Sequence, residues 1–172
     1  MKIPYALFCL ALLLGVHSHA GVIEGRVIAV QDGDTVTLLD HVNVQHRIRL
    51  AGIDAPEKSQ AFGQRSKQSL GELVFSREVT VNTGKTDVYG RQVGKVVLHG
   101  MDVNLEQVKR GLAWHYKAYV REQSHEDRAA YASAEDDAKA ANVGLWRDPL
   151  PTPPWDFRRR SRSAGVGQKS NE

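Results

Sequence analysis

The chain has 172 residues, with 23 basic and 20 acidic side chains and a net charge of +3 at neutral pH. Hydrophobic residues make up 41% and charged residues 25%, a composition typical of a soluble globular protein. These values exclude a collagen-like chain, a wholly disordered chain and a polytopic membrane protein, and the length suits one compact domain with a tail.

Residues 1–20 have the pattern of a secretory signal peptide. Lys2 is their only charge, residues 3–16 form an apolar run, and Ser18 and Ala20 resemble a small-x-small cleavage site. The run is shorter than the about 20 residues that a membrane-spanning helix needs. We therefore expect an exported protein, periplasmic or secreted, with no membrane span in the mature chain. The alternative is an uncleaved N-terminal anchor.

The single cysteine, Cys9, lies inside the predicted signal peptide. The mature chain is therefore expected to fold without disulfides, which excludes thiol catalysis, cysteine zinc sites and iron–sulfur clusters. The histidines after residue 20 are scattered and match no zinc spacing.

Residues 21–147 are predicted to form the folded domain, which begins with strands. Residues 22–29 are rich in β-branched side chains, Asp32-Gly33 is a hairpin-turn signal, and residues 35–39 resume the strand pattern. A third strand alternates polar and apolar residues over 42–50.

The remainder of the domain combines helices with two more strands. Helical periodicity covers residues 60–74, and strand patterns cover 78–82 and 92–98. Asp102 is a candidate N-cap of a short helix, and Ser124 opens a third helix. The order predicts an α+β, mainly β domain: a five-stranded, antiparallel, partly open barrel of the OB-fold pattern with three α-helices.

Residues 148–172 are predicted to form a proline-rich linker and a basic flexible tail. Residues 147–172 carry a net charge of +3, whereas residues 21–146 carry −1. Either the tail is a solubilising end, or it contacts a polyanion such as nucleic acid. The basic side chains for such a contact are Arg158, Arg159, Arg160 and Arg162.

Three predicted loops combine acidic residues with arginine at strand ends. Their charged side chains are Asp32, Asp34, Arg49, Asp54, Glu57, Asp87 and Arg91. Taken singly, each loop also suits a tight turn or the first turn of a helix. Together they offer two carboxylates and a carbonyl suited to Ca²⁺, two arginines for a phosphate, and a glutamate that could act on water.

Over about residues 22–146 the chain resembles secreted thermonucleases of the staphylococcal nuclease type. The motifs that carry the resemblance are Asp32-Gly33-Asp34-Thr35, Arg49 with Asp54-Ala55-Pro56-Glu57, and Tyr89-Gly90-Arg91. Supporting motifs are Val103-Asn104, Gly111-Leu112-Ala113 and Gly144-Leu145-Trp146. Three motifs in the right order at predicted strand ends are a far more specific signal than one.

The resemblance implies a Ca²⁺-dependent phosphodiesterase that hydrolyses DNA and RNA to products with 3′-phosphates. The calcium ligands that it implies are Asp34, Asp54 and the main-chain carbonyl of Ala55. Glu57 would activate or position the attacking water. Arg49 and Arg91 would hold the phosphate and stabilise the phosphorane-like transition state.

Substrate binding is expected from Tyr116, Lys117 and Tyr119. The family's best-known member has two tyrosines against the base, and ungapped counting from Gly111 places Tyr119 and Lys117 at those positions, with Tyr116 adjacent. Ala55 stands where that member has threonine, which a main-chain ligand tolerates.

Two alternatives to an exported nuclease remain. One is a non-catalytic nucleic-acid-binding OB module that uses the basic tail, and the other is an exported binding partner whose tail docks on an anionic polymer. The intact set of acids and arginines favours catalysis, and we expect a monomer.

Overall fold

The structure, a computed structural model, describes residues 21–168. The predicted signal peptide, residues 1–20, lies outside the described residues, as do residues 169–172. Between residues 21 and 168, no helix is both long and apolar enough to cross a membrane.

The described chain contains eight strands and four α-helices, with two short 3-10 helices between them. In chain order they are β1 (Gly21–Val30), β2 (Thr35–Asp40), β3 (Gln45–Leu50), β4 (Ile53–Asp54), α1 (Gly63–Val74), β5 (Glu78–Thr86), β6 (Gln92–Leu98), β7 (Met101–Asp102), α2 (Val103–Lys109), β8 (Trp114–His115), a 3-10 helix (Lys117–Glu122), α3 (His125–Ala140), a second 3-10 helix (Gly144–Arg147) and α4 (Pro154–Gln168).

Five strands form a closed barrel, which confirms the predicted OB-type α+β fold. They are hydrogen-bonded in the order β3-β2-β1-β5-β6, and β3 also pairs with β6. That last pairing is parallel, over Ile48–Leu50 and Gln92–Gly94, so the expectation of an all-antiparallel sheet was wrong. An odd number of alternating strands leaves its two edge strands pointing the same way, so closing the barrel requires one parallel seam.

The core fills the barrel and extends beneath α1 and α2. The alternation of the strands places their β-branched and leucine side chains inward, where they are almost completely buried. Leu70, Leu73 and Val74 of α1 join this core. Phe62, just before α1, packs on a smaller cluster around Leu145 and Trp146.

Both predicted helix caps are confirmed. The Asp102 side chain accepts a hydrogen bond from the Leu105 N–H at 3.0 Å, and Ser124 Oγ accepts one from the Asp127 N–H at 3.0 Å. Each cap satisfies a main-chain donor that the first helical turn leaves unpaired, which sets where α2 and α3 begin.

The structure differs most from the sequence prediction in the tail, which was expected to be flexible. Residues 151–153 have no regular secondary structure, but helix α4 follows them, so the described residues contain four α-helices where the sequence predicts three. Pro154 suits the first position of a helix and Asp156 suits its first turn. Pro154 is buried, and Trp155 packs edge-on against Trp114 at 5.6 Å between ring centroids.

Asn104, in the first turn of α2, holds the parallel seam together. It is completely buried. Its Oδ1 accepts a hydrogen bond from the Val96 N–H at 3.1 Å, and its Nδ2 donates to the carbonyls of Ala51 at 3.0 Å and Gly94 at 3.1 Å. One side chain therefore connects the ends of β3 and β6 to α2.

Replacing Asn104 with alanine is expected to destabilise the protein by about 3 kcal/mol, because a buried side chain and its three hydrogen bonds are lost, although the Gly94 carbonyl keeps the Ala51 N–H. The free energy of unfolding from urea titrations measures this. Gln68→Ala, on the exposed side of α1, is the control and should change stability by less than about 0.5 kcal/mol. Equal values for both variants would contradict the role given to Asn104.

Candidate active site

The three acidic and arginine-bearing loops meet at one end of the barrel, and Arg49 of β3 joins two of them. Its Nη1 lies 3.1 Å from Asp34 Oδ2, and its Nη2 lies 2.9 Å from Asp54 Oδ1. Its Nη1 also donates to the carbonyls of Leu50 and Ile53 at 3.1 and 2.9 Å. Because Arg49 belongs to β3, these contacts fix both carboxylates relative to the barrel. They also hold the turn from β3 to β4 in place.

Asp34 and Asp54 are carboxylates removed from water, with 6% and 1% of their surface exposed. Asp34 Oδ2 also accepts a hydrogen bond from the Ala55 N–H at 2.6 Å, which brings the second loop against the first. Burial raises the pKa of Asp34 to about 7, although Arg49 lowers it, and the charges of Asp32 and Asp54 raise it further. The effect of burial therefore outweighs the stabilisation that Arg49 gives to the ionised form.

Glu57 follows the buried Ala55-Pro56 step and is more accessible, with 37% of its side chain exposed. A Cβ atom on residue 63 would lie 1.9 Å from the main-chain carbonyl oxygen of Glu57. Glycine is therefore required at position 63, where α1 begins. The Glu57 N–H also donates to Gln60 Oε1 at 3.1 Å. The side chain can therefore meet solvent beside two buried acids, which suits a group that acts on water.

Arg91 comes from the loop between β5 and β6, and Asp87 orients it. Its Nε and Nη2 both contact Asp87 Oδ2 at 2.8 Å, and its Nη1 reaches Thr35 Oγ1 at 3.4 Å. Burial would raise the pKa of Asp87, but hydrogen bonds from the Arg91 main chain and side chain and from the Tyr89 N–H outweigh it and lower the pKa. The i, i+4 spacing of Asp87 and Arg91 around Gly90 is the sequence signal for this pair.

Arg91 is brought close to the acidic cluster through Thr35. The Thr35 hydroxyl donates to Asp34 Oδ1 at 3.1 Å while Arg91 approaches the same oxygen of Thr35. The third motif is thereby joined to the first, so all five predicted acids and arginines of the site lie at the same end of the barrel.

A sixth charged residue of the site, Arg158 of α4, was predicted to lie in a flexible tail. It forms a two-pronged contact with Asp54, with Nη1 at 3.2 Å from Oδ1 and Nη2 at 2.8 Å from Oδ2. Its Nη1 also lies 2.8 Å from Glu57 Oε1. Nothing local in the sequence marks this arginine among its neighbours.

The predicted substrate residues divide into two groups. Tyr116 lies beside Asp54, whose charge, after burial, raises the tyrosine pKa. Its ring is 5.4 Å from Tyr119 and 5.5 Å from Trp155, and Tyr119 is half exposed, so an aromatic surface borders the site. The third predicted residue, Lys117, is instead ion-paired with Glu135 at 2.8 Å.

Comparison with known proteins identifies one family to which the chain is similar. The model of the family described as staphylococcal nuclease homologue matches residues 47–148. An "Uncharacterized endonuclease" of Haemophilus influenzae is 43% identical over 137 residues, which are 80% of this chain and 74% of that protein. A "Micrococcal nuclease" of Shigella flexneri is 39% identical over 151 residues, 82% of this chain and 83% of that protein. "Protein ParB" of Escherichia coli is 39% identical, with 82% of each chain covered.

The chain therefore belongs to the staphylococcal nuclease family, as its motifs predict. The matched segment includes Arg49, Asp54, Glu57 and Arg91, whereas Arg158 lies beyond it.

Glu135 of α3 supports the strand that adjoins the site. It is 1% exposed and accepts hydrogen bonds from the His115 N–H at 3.0 Å and from Lys117 and Lys139 at 2.8 Å each. Since His115 belongs to β8, which pairs with β4, these contacts hold the strand that carries Asp54. Burial would raise the pKa of Glu135, but the two lysines lower it below 4.5.

Glu135→Gln is therefore expected to lower stability by about 1–2 kcal/mol at pH 7.5, since an ionised acceptor of two lysines is lost. Because folding lowers the pKa of Glu135, the ionised side chain contributes its full stabilisation at pH values above 4.5, the pKa of the unfolded chain. This contribution is lost as the pH falls through the lower pKa of the folded state. Urea titrations at pH 7.5 and at about pH 3.5 should show the difference between wild type and variant shrinking at the lower pH. A difference independent of pH would contradict the assignment.

Proposed function

We propose that the protein is an exported, calcium-dependent nuclease that hydrolyses phosphodiester bonds of DNA and RNA and leaves 3′-phosphates. The observation that carries this proposal is the convergence of two buried carboxylates, a solvent-accessible glutamate and two arginines at one end of the barrel. Membership of the staphylococcal nuclease family supports it, as do relatives whose names include endonuclease and micrococcal nuclease. Export is proposed from the pattern of residues 1–20.

The donor chemistry of the site fits calcium. Asp34, Asp54 and the Ala55 carbonyl would hold the ion through hard oxygen atoms, which Ca²⁺ prefers. No group of three His, Cys, Asp or Glu side chains in residues 21–168 could hold a metal, so water or substrate oxygens would complete the shell. Burial raises the pKa of Asp34 to about 7, and a bound cation would stabilise the ionised carboxylate. Bound calcium would supply positive charge to a phosphate oxygen as negative charge develops.

Glu57 would accept a proton from water, or position that water, as the water oxygen bonds to phosphorus opposite the 5′-oxygen. The bond from phosphorus to the 5′-oxygen then breaks, which leaves a 3′-phosphate on one fragment and a 5′-hydroxyl on the other. Arg49 and Arg91 would donate to the equatorial phosphate oxygens, whose charge grows in the transition state. Arg91 would also stabilise the departing 5′-oxygen, which takes up a proton.

The aromatic surface beside the site would accept a nucleobase. Tyr116 and Tyr119 offer ring faces, and the Lys85 ammonium lies 4.4 Å from the Tyr119 ring centroid. Base stacking on such faces tolerates any sequence, because every base has a π-face. This agrees with a proposed activity on both DNA and RNA.

Glu57→Gln is expected to lower kcat by about a thousandfold at saturating calcium, because the amide cannot accept the proton from water. Hydrolysis of a short oligonucleotide measures it, with Glu72→Gln on the exposed face of α1 as the matched control. EDTA should abolish wild-type activity and excess calcium should restore it. Full activity in EDTA would refute calcium dependence, and full activity of Glu57→Gln would refute the role of that residue.

Asp87→Asn is expected to reduce kcat by about tenfold, because Arg91 loses the charged partner that orients it, while Arg91 itself remains. The KM for an oligonucleotide should change less than kcat if Arg91 acts mainly on the transition state. Asp136→Asn, an exposed aspartate of α3, is the control. A change in KM alone would contradict this interpretation.

A further inference from the structure

The guanidinium of Arg158 occupies the oxygen atoms that a metal at this site would need. Asp54 Oδ1 accepts hydrogen bonds from both Arg49 and Arg158, and Oδ2 accepts one from Arg158. A carboxylate has about four lone-pair positions, so three of those on Asp54 already face cationic donors. A divalent ion bound to Asp54 would therefore stand within a few ångströms of a guanidinium charge, in a site largely shielded from water.

With all three of its carboxylates ionised, the cluster keeps one uncompensated negative charge when Arg158 is present, and it balances when a divalent ion replaces Arg158. Three carboxylates, on Asp34, Asp54 and Glu57, face the guanidiniums of Arg49 and Arg158. A divalent ion in place of Arg158 would neutralise the group, whereas both together would leave excess positive charge without additional partners. The electrostatics favour exchange of one cation for the other.

Arg158 can leave the carboxylates without unfolding α4. The helix is seated through the buried Pro154 and through Trp155, which contacts Trp114 and Tyr116. The Arg158 side chain is 37% exposed, so one side of it already faces solvent. A long side chain on a helix anchored elsewhere has room to swing toward solvent.

We propose that Arg158 is an internal competitor of the divalent cation: its guanidinium and the metal bind the Asp54–Glu57 pair alternately. Helix α4 thereby sets the calcium concentration at which the site fills. This inference rests on the proposed function in one respect, since it requires a metal at Asp54.

Calorimetric titration of the full chain with CaCl₂ at pH 7.5 and fixed ionic strength tests the competition without an activity readout. Arg158→Gln is expected to bind calcium about tenfold more tightly than wild type, because no guanidinium has to be displaced first. Arg159→Gln is the matched control: this neighbouring arginine is exposed and pairs with Asp156 in its own helix, so its Kd should equal that of wild type.

Arg158→Lys provides a second variant in case the glutamine variant is poorly folded, as judged by circular dichroism. Lysine keeps the charge but loses the two-pronged contact, so its Kd should lie between those of wild type and Arg158→Gln. An equal or weaker affinity in both Arg158 variants would overturn the competition while leaving the calcium site intact. Absence of calcium binding in all variants, together with hydrolysis in EDTA, would overturn the metal part of the proposed function as well.

Discussion

The burial of two carboxylates against one guanidinium is the constraint on which the rest of the site depends. Asp34 and Asp54 are held almost out of water, and an ionised carboxylate there is strongly unfavourable unless it is paired and hydrogen-bonded. Arg49 pairs with both and also donates to two carbonyls at the turn from β3 to β4. The same side chain therefore maintains the charge balance and sets the position of the loop that leads to Glu57.

The barrel supplies the rigidity that this arrangement needs. Because five alternating strands close through a parallel seam, the ends of β3 and β6 meet next to Arg49, and Asn104 joins them from α2. On the other side, β4 pairs with β8, which Glu135 attaches to α3. Buried polar side chains thus attach the strands that flank the loop of Asp54 to α2 and α3, and such groups tolerate little displacement.

Much of this could be predicted from the sequence because the signals were local. Strand alternation, the caps at Asp102 and Ser124, and the acidic and arginine motifs depend on residues a few positions apart. The parallel seam, the pairing of Lys117 with Glu135 and the docking of Arg158 join distant parts of the chain. A segment of prolines and arginines has the composition of a solvated tail whether or not one of its arginines finds a buried carboxylate.

The positions of the arginines in α4 show that the positive net charge does not act as one basic surface. The folded domain before this segment is slightly acidic, and the excess charge lies after residue 146. Arg158 contacts the buried carboxylate of Asp54, whereas Arg159, Arg160 and Arg162 are exposed. Exposed charges attract a polyanion over a distance that salt limits to about 8 Å at physiological ionic strength. A contact with a buried carboxylate is screened by salt far less. Salt would therefore weaken a contact between the exposed arginines and a polyanion more than it weakens the contact of Arg158 with Asp54.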